Sequence, residues 1–223
     1  MKSARKGSVA SRKPDTLETF VERYFSTMDE INRKLPREKV LRAVDLLHET
    51  WQNDGSVFLI GNGGSASTAT HFACDLSKFS MVKGKKRLKV LSLVDNIPLV
   101  SAWTNDSGFG TVFSEQLEAW LKPGDLVIAL SVHGGSGVGN AGPWSQNLAR
   151  AVDYAQQHGA RVLGFSGFGG GYLAERSDVC IVVPVDQEPL GTPIVEAYHV
   201  VLHHLICTLL HLKIKAESDA GHI

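Results

Sequence analysis

The sequence has no excess of charge of either sign. Its 223 residues carry 23 Lys and Arg against 23 Asp and Glu. A strongly basic nucleic-acid binder is disfavoured, so no nucleic-acid partner is expected. It has no unbroken apolar run of the length that spans a bilayer, so no membrane partner is expected either. It has few cysteines: Cys74, Cys180 and Cys207. They are odd in number, far apart in sequence, and two sit in strongly apolar segments. That argues for buried thiols in a reducing compartment and a cytoplasmic location. The start lacks the apolar stretch of a secretory signal. What it does have is Lys2, Arg5, Lys6, Arg12 and Lys13 with no acid, which leaves the remainder with 18 basic against 23 acidic residues. Residues 1–14 read as a disordered basic arm.

The length and the 43% apolar content fit one domain with a sizeable core. Leu17, Phe20, Tyr24, Met28, Ile31 and Leu35 recur every three or four residues, which predicts a helix with one apolar seam over 15–35. Pro36 opens a second helix, with Val40, Val44, Leu47 and Trp51 on one face and Asn53-Asp54-Gly55 at its end. Short Val-, Ile- and Leu-rich runs follow at 56–60, 88–93, 126–130, 161–165 and 179–183. They do not alternate with polar residues, as expected of strands buried on both faces. Helical patterns lie between them at about 65–79, 112–121, 145–158 and 170–176. A last apolar helix is expected over about 192–213, followed by a tail at 214–223. The alternation predicts a doubly wound, five-stranded parallel sheet with two N-terminal helices, an α/β fold made of a single domain over 15–213.

In such sheets ligands bind where strands end. The segments there are Gly61-Asn62-Gly63-Gly64-Ser65, Asp95-Asn96 with Asn105-Asp106 beyond, Ser131-Val132-His133-Gly134-Gly135-Ser136, and Ser166-Gly167-Phe168-Gly169-Gly170. Small, polar, glycine-rich segments feeding helix starts suit anions, phosphate above all. Gly61-x-Gly63-x-x-Ala66 fits a dinucleotide fingerprint. The acid that should close the next strand about 20 residues on is missing, because that strand ends near Asp95. A phosphate or sugar-phosphate cradle is the better reading.

His71 and Asp75 are spaced i, i+4 on the helix after the first loop, a spacing for a metal, for acid–base work, or for a surface ion pair. That helix begins at the loop, so the pair is expected to line the same crevice. On the last helix Glu196, His199 and His203 share a stripe, which is costly to bury without a purpose. His204 and His211 fall on other faces and read as packing or surface residues.

At GNGGSASTATHFACDL the chain specifically resembles the SIS (sugar isomerase) domain family, and within it the phosphoheptose isomerases. Their pattern there is GNGGSA, a spacer, then HFA-x-EL. The resemblance covers about residues 15–213 and includes WTNDSGF, the loop at Ser131, SQNLARAVDYAQQHGARVLGFSG and VEAYHVVLHHLI. It implies a flavodoxin-like sheet, a phosphorylated sugar as substrate, and aldose–ketose isomerisation through an enediol, in a homo-oligomer, a tetramer by expectation. It also implies that Asn62, Gly63, Gly64 and Ser65 hold substrate and that Asn105 and Asp106 contact the sugar. The loop of Ser131, Val132, His133 and Ser136, with Ser145, would take the phosphate. Asp75 and His203 would be catalytic. His71, Asp75 and His203 would be ligands where zinc is bound.

Three departures accompany the resemblance. Asp75 stands where the family has Glu, and small displacements of a catalytic group can cost about a hundredfold in rate. Val195 stands at the position of a family Gln that is also a metal ligand. The phosphate loop is altered, and residues 136–144, with Trp144, read as an insertion ahead of Ser145, which is expected to cap the following helix. The alternative is a non-catalytic SIS protein that binds sugar phosphate or a partner as a regulator.

Overall fold

The computed structural model describes residues 16–135, 145–185 and 187–220. The basic arm, Ser136 and the 136–144 segment lie outside the described residues. Two helices come first, α1 (Leu17–Lys34) and α2 (Arg37–Gln52). Thr16 caps α1, its hydroxyl accepting from Thr19 N at 3.3 Å. The alternating part follows as β1 (Ser56–Gly61), α3 (Gly64–Lys78), β2 (Lys89–Ser92), α4 (Ile97–Ser107), α5 (Val112–Trp120), β3 (Leu126–Leu130), α6 (Gln146–Gln157), β4 (Arg161–Gly167), α7 (Gly171–Arg176), β5 (Val179–Val183) and α8 (Gly191–Ala220).

All four strand pairings are parallel, in the order β2-β1-β3-β4-β5. This is the flavodoxin-like doubly wound order, whose direction reverses between β1 and β3. Alternate residues of each strand face opposite layers. Val57 and Leu59 join α1, α2, α3 and α8, whereas Phe58 and Ile60 join α5 and α6. Neither face of the central strands meets water, which is why they carry no polar alternation. Tyr198 ties α8 to α1 by donating to Met28 O at 2.8 Å and lying 2.9 Å from Asn32 Oδ1.

Three expectations need correction. First, α4 was not foreseen: IPLVSAWTNDS looks apolar without a clear period, and none of its residues is buried. Second, the last helix does not stop at 213. It runs on to Ala220, because Ile214 is still buried and Glu217 lies 3.0 Å from His48 Nε2 on α2. Third, Gly191–Glu217 is long and apolar enough, by length and composition, to cross a membrane. Half of its most apolar stretch is buried inside the fold, where Ile194, Val195, Tyr198, Leu202, Ile206 and Leu210 fill the core. A buried core helix meets the same length and composition test.

Candidate active site

The β1–α3 and β3–α6 connections meet at the reversal point of the sheet. Asn62 and Asn147 exchange amide hydrogen bonds there, Nδ2 to Oδ1 at 3.0 Å and 2.8 Å. Asn62 Nδ2 also reaches Ser145 Oγ at 3.4 Å. Asn147 is almost fully buried, and its Oδ1 accepts from Leu148 N at 2.9 Å. It fixes Asn62 between the two connections, although nothing in its own spacing singled it out.

Gly63 and Gly64 are exposed at the start of α3, with Ser65 buried behind them. The Glu196 carboxylate occupies the space beside Gly64: a Cβ there would fall 2.3–2.5 Å from it unless that side chain moved. Glu196 therefore does reach the glycine loop, as the stripe on α8 suggested. Asn105 and Asp106 sit exposed at the end of α4, where Asn105 Nδ2 donates to Asp106 Oδ1 at 2.8 Å.

The loop after β3 is drawn tight. Ser131 Oγ accepts from Gly135 N at 3.1 Å, Val132 O from Gly167 N at 2.9 Å, and Leu173 N donates to Gly134 O at 2.9 Å. Gly134 has φ +74°, and a Cβ there would fall 1.8 Å from Gly170 O. The exposed His133 ring lies against Phe168 at 4.2 Å. Ser145 corrects the capping expectation. It has left-handed φ 57° and makes no side-chain cap, so its hydroxyl is turned to Asn62 instead.

The titratable groups gather elsewhere, where α3 passes α8. Asp75 Oδ2 lies 3.0 Å from His204 Nδ1, 3.4 Å from His203 Nδ1 and 3.7 Å from His71 Nε2. His203 is fully buried, and its ring stacks on Phe72 at 5.1 Å, which meets Phe165 of β4 edge-on at 5.7 Å. His71 and His204 are about half exposed. None of these approaches has hydrogen-bond geometry: Asp75 Oδ2 and both His203 ring nitrogens are buried without a hydrogen-bond partner. Buried polar atoms in that state are rare in folded proteins. Imidazole nitrogens converging on a carboxylate oxygen are a donor set for a first-row divalent ion, so the residues present fit zinc. His204 thus belongs to the cluster, contrary to its reading as a packing or surface residue.

Burial pushes His203 down to about 3, with the neighbouring His204, His71 and His199 adding to the shift. His199 is pushed down to about 4 by burial, against the opposing effect of its hydrogen bond with Ser166 O at 3.3 Å. The Glu196, His199 and His203 stripe therefore divides three ways: Glu196 reaches the loop, His199 stays in the core, and His203 joins the cluster.

The cluster lies well along α3 from the glycine loop. Asp75 is eleven residues beyond Gly64, which at 1.5 Å per residue is roughly 16 Å of helix.

Residues 19–167 match the model of the SIS domain family. The chain belongs to the SIS domain family. It lies with the phosphoheptose isomerases there. It is 31% identical over 204 residues to the phosphoheptose isomerase of Geotalea daltonii, covering 91% of this chain and 98% of that one. The solved phosphoheptose isomerase of Neisseria gonorrhoeae superposes with a TM-score of 0.74 at 27% identity, covering 87% and 98% of the two chains. The chain is also 42% identical over 193 residues to the lincomycin biosynthesis protein LmbN of Streptomyces lincolnensis, covering 86% of this SIS-domain chain and 69% of that protein.

The buried histidines set a pH dependence. A group whose pKa is depressed on folding stabilises the fold above its unfolded value, and that contribution is lost as pH falls toward the folded value. For His199 the window runs from about 6.5 down to about 4. Stability of the SIS domain should fall across it with a slope of up to about 1.4 kcal/mol per pH unit for each proton. Urea midpoints measured against pH should show a shallower acid limb in His199→Leu. An unchanged limb would mean that His199 is not held neutral by burial.

Proposed function

We propose that the chain is a phosphosugar aldose–ketose isomerase working through an enediol. The observation that carries this reading is the convergence of His203, kept neutral by burial, on the Asp75 carboxylate in a chain of this family. Starting from a ketose, a base removes a C1 proton and the C2 oxygen gains a proton, giving the enediol. Return of a proton to C2 and loss of the O1 proton give the aldose. Base and acid must lie within hydrogen-bond reach of those atoms. Asp75 and His203 are assigned this work, and neutral His203 has a lone pair available at physiological pH.

Bound at His71, Asp75 and His203, zinc would supply Lewis acidity toward the carbonyl and hydroxyl oxygens, and proton transfer would then fall to the atoms of Asp75 and His203 that do not hold the ion. Asn62, Gly63, Gly64 and Ser65 are assigned to the sugar, as are Asn105 and Asp106. Ser131, Val132, His133 and Ser145 are assigned to the phosphate, and Ser136, outside the described residues, is assigned with them. Sedoheptulose 7-phosphate is the substrate to try first. The likeness to a lincomycin biosynthesis protein is the reason to assay a panel of heptulose and hexulose phosphates beside it. The free thiols of Cys74, Cys180 and Cys207 suit a cytoplasmic enzyme.

The roughly 16 Å of helix axis between Gly64 and Asp75 is in keeping with a site completed across subunits. Apolar residues stand exposed where such a contact would form: Leu17, Val21 and Phe25 on α1, and Val201, Leu205 and Leu212 on α8 beside His204. A homotetramer is the proposed assembly. Sedimentation at micromolar concentration should give a tetramer, and a monomer at that concentration would remove the shared-site account.

With a ketose phosphate turned over in deuterium oxide, the aldose should carry deuterium at C2. His203→Gln and Asp75→Asn should each abolish this incorporation while the fold persists. Wild-type protein that binds sugar phosphate without any incorporation, with or without added zinc, would support the regulatory alternative instead.

A further inference from the structure

The zinc reading above leaves one imidazole of the cluster without a task. His204 Nδ1 is the nitrogen nearest to Asp75 Oδ2, at 3.0 Å. Ligand bonds of about 2.0–2.1 Å in a tetrahedral zinc centre place ligand atoms roughly 3.3–3.4 Å apart. The separations of 3.0, 3.4 and 3.7 Å around Asp75 Oδ2 bracket that spacing. All four donor atoms lie within 4.8 Å of one another. A plain ion pair does not account for them, because Asp75 Oδ2 is buried and none of the three nitrogens hydrogen-bonds to it. A carboxylate left so is costly unless a cation compensates it.

We propose that His204 is a direct zinc ligand, completing a set of three histidines and one aspartate with His71, Asp75 and His203. Residues 203 and 204 point about 100° apart on an ideal helix. Asp75 reaches α8 between them, so both imidazoles meet the same carboxylate oxygen. Farther up α8, Val195 is fully buried, with its methyl groups 2.3–3.0 Å from where a Gly167 Cβ would lie. That position offers no donor, and the fourth ligand comes from the opposite direction along the helix. His71 and His204 are each about half exposed, and with four protein ligands a substrate oxygen would reach the ion only by expanding the tetrahedral set to five.

The inference rests on the zinc reading, and the experiment separates the two. Full-length protein is stripped with a chelator and titrated with zinc, and in parallel with cobalt(II) as a spectroscopic substitute. Wild type should bind one ion per chain. Loss of an outer-sphere partner of a metal typically costs about 10–100-fold in affinity. His204→Ala should weaken zinc binding by more than that range. His211→Ala should leave it unchanged, since that ring hydrogen-bonds with Met81 O at 3.0 Å away from the cluster. Cobalt-loaded His204→Cys should gain a thiolate-to-cobalt charge-transfer absorption in the near ultraviolet that wild type lacks. Unchanged zinc affinity in His204→Ala, or no such absorption in metal-loaded His204→Cys, would overturn the assignment of His204 while leaving a three-ligand site. Wild type that binds neither ion would overturn the metal reading and this inference together, and deuterium incorporation would still report on isomerisation by itself.

Discussion

A carboxylate oxygen buried against three imidazoles, with no hydrogen bond to any of them, is the constraint that organises this molecule. Such a group is unfavourable in an apolar interior. The surroundings hold it in place nonetheless. Phe165 on β4 supports Phe72 on α3, and Phe72 stacks on His203 of α8. The ring column thus runs from the sheet to the site, and a close-packed core transmits any displacement along it. The same burial keeps His203 neutral, the form that accepts a proton and the form that ligates a metal.

The glycine loops solve a different problem. They bring backbone and small polar side chains to the reversal point of the sheet, where an anion is welcome. The Asn62–Asn147 pair locks the first loop to the second, and Gly64 makes room for Glu196. Asp75 stands eleven residues farther along α3 than Gly64. The glycine loops and the Asp75 cluster lie at different places along α3, and α1 and α8 both carry exposed apolar residues.

Much of the fold was legible because its signals are local. The Val and Ile runs reported parallel strands, buried on both faces except at the edge strand β2, where Lys89 and Leu91 are exposed, and their linking patterns gave most of the helices. The glycine loops and the Asp75–His203 pair were legible through motif. Elements whose reason lies in tertiary structure were not. The apolar helix α4 has no buried face to impose a period on its sequence. The extension of α8 to Ala220 depends on contacts with α2. Ser145 looks like a cap, yet its backbone is left-handed and its hydroxyl is turned to Asn62. His204 was misplaced because helical spacing sorts residues by face. The carboxylate it meets comes from α3, between two faces of α8.

The central claim is that Asp75 and His203 act as one reacting unit. A double-mutant cycle on kcat/KM for Asp75→Asn and His203→Gln measures this directly. Groups that serve one reaction path are strongly non-additive. The account predicts that the double variant is scarcely slower than the slower single variant. Losses that multiply, so that the double variant falls by the product of the two single losses, would contradict it.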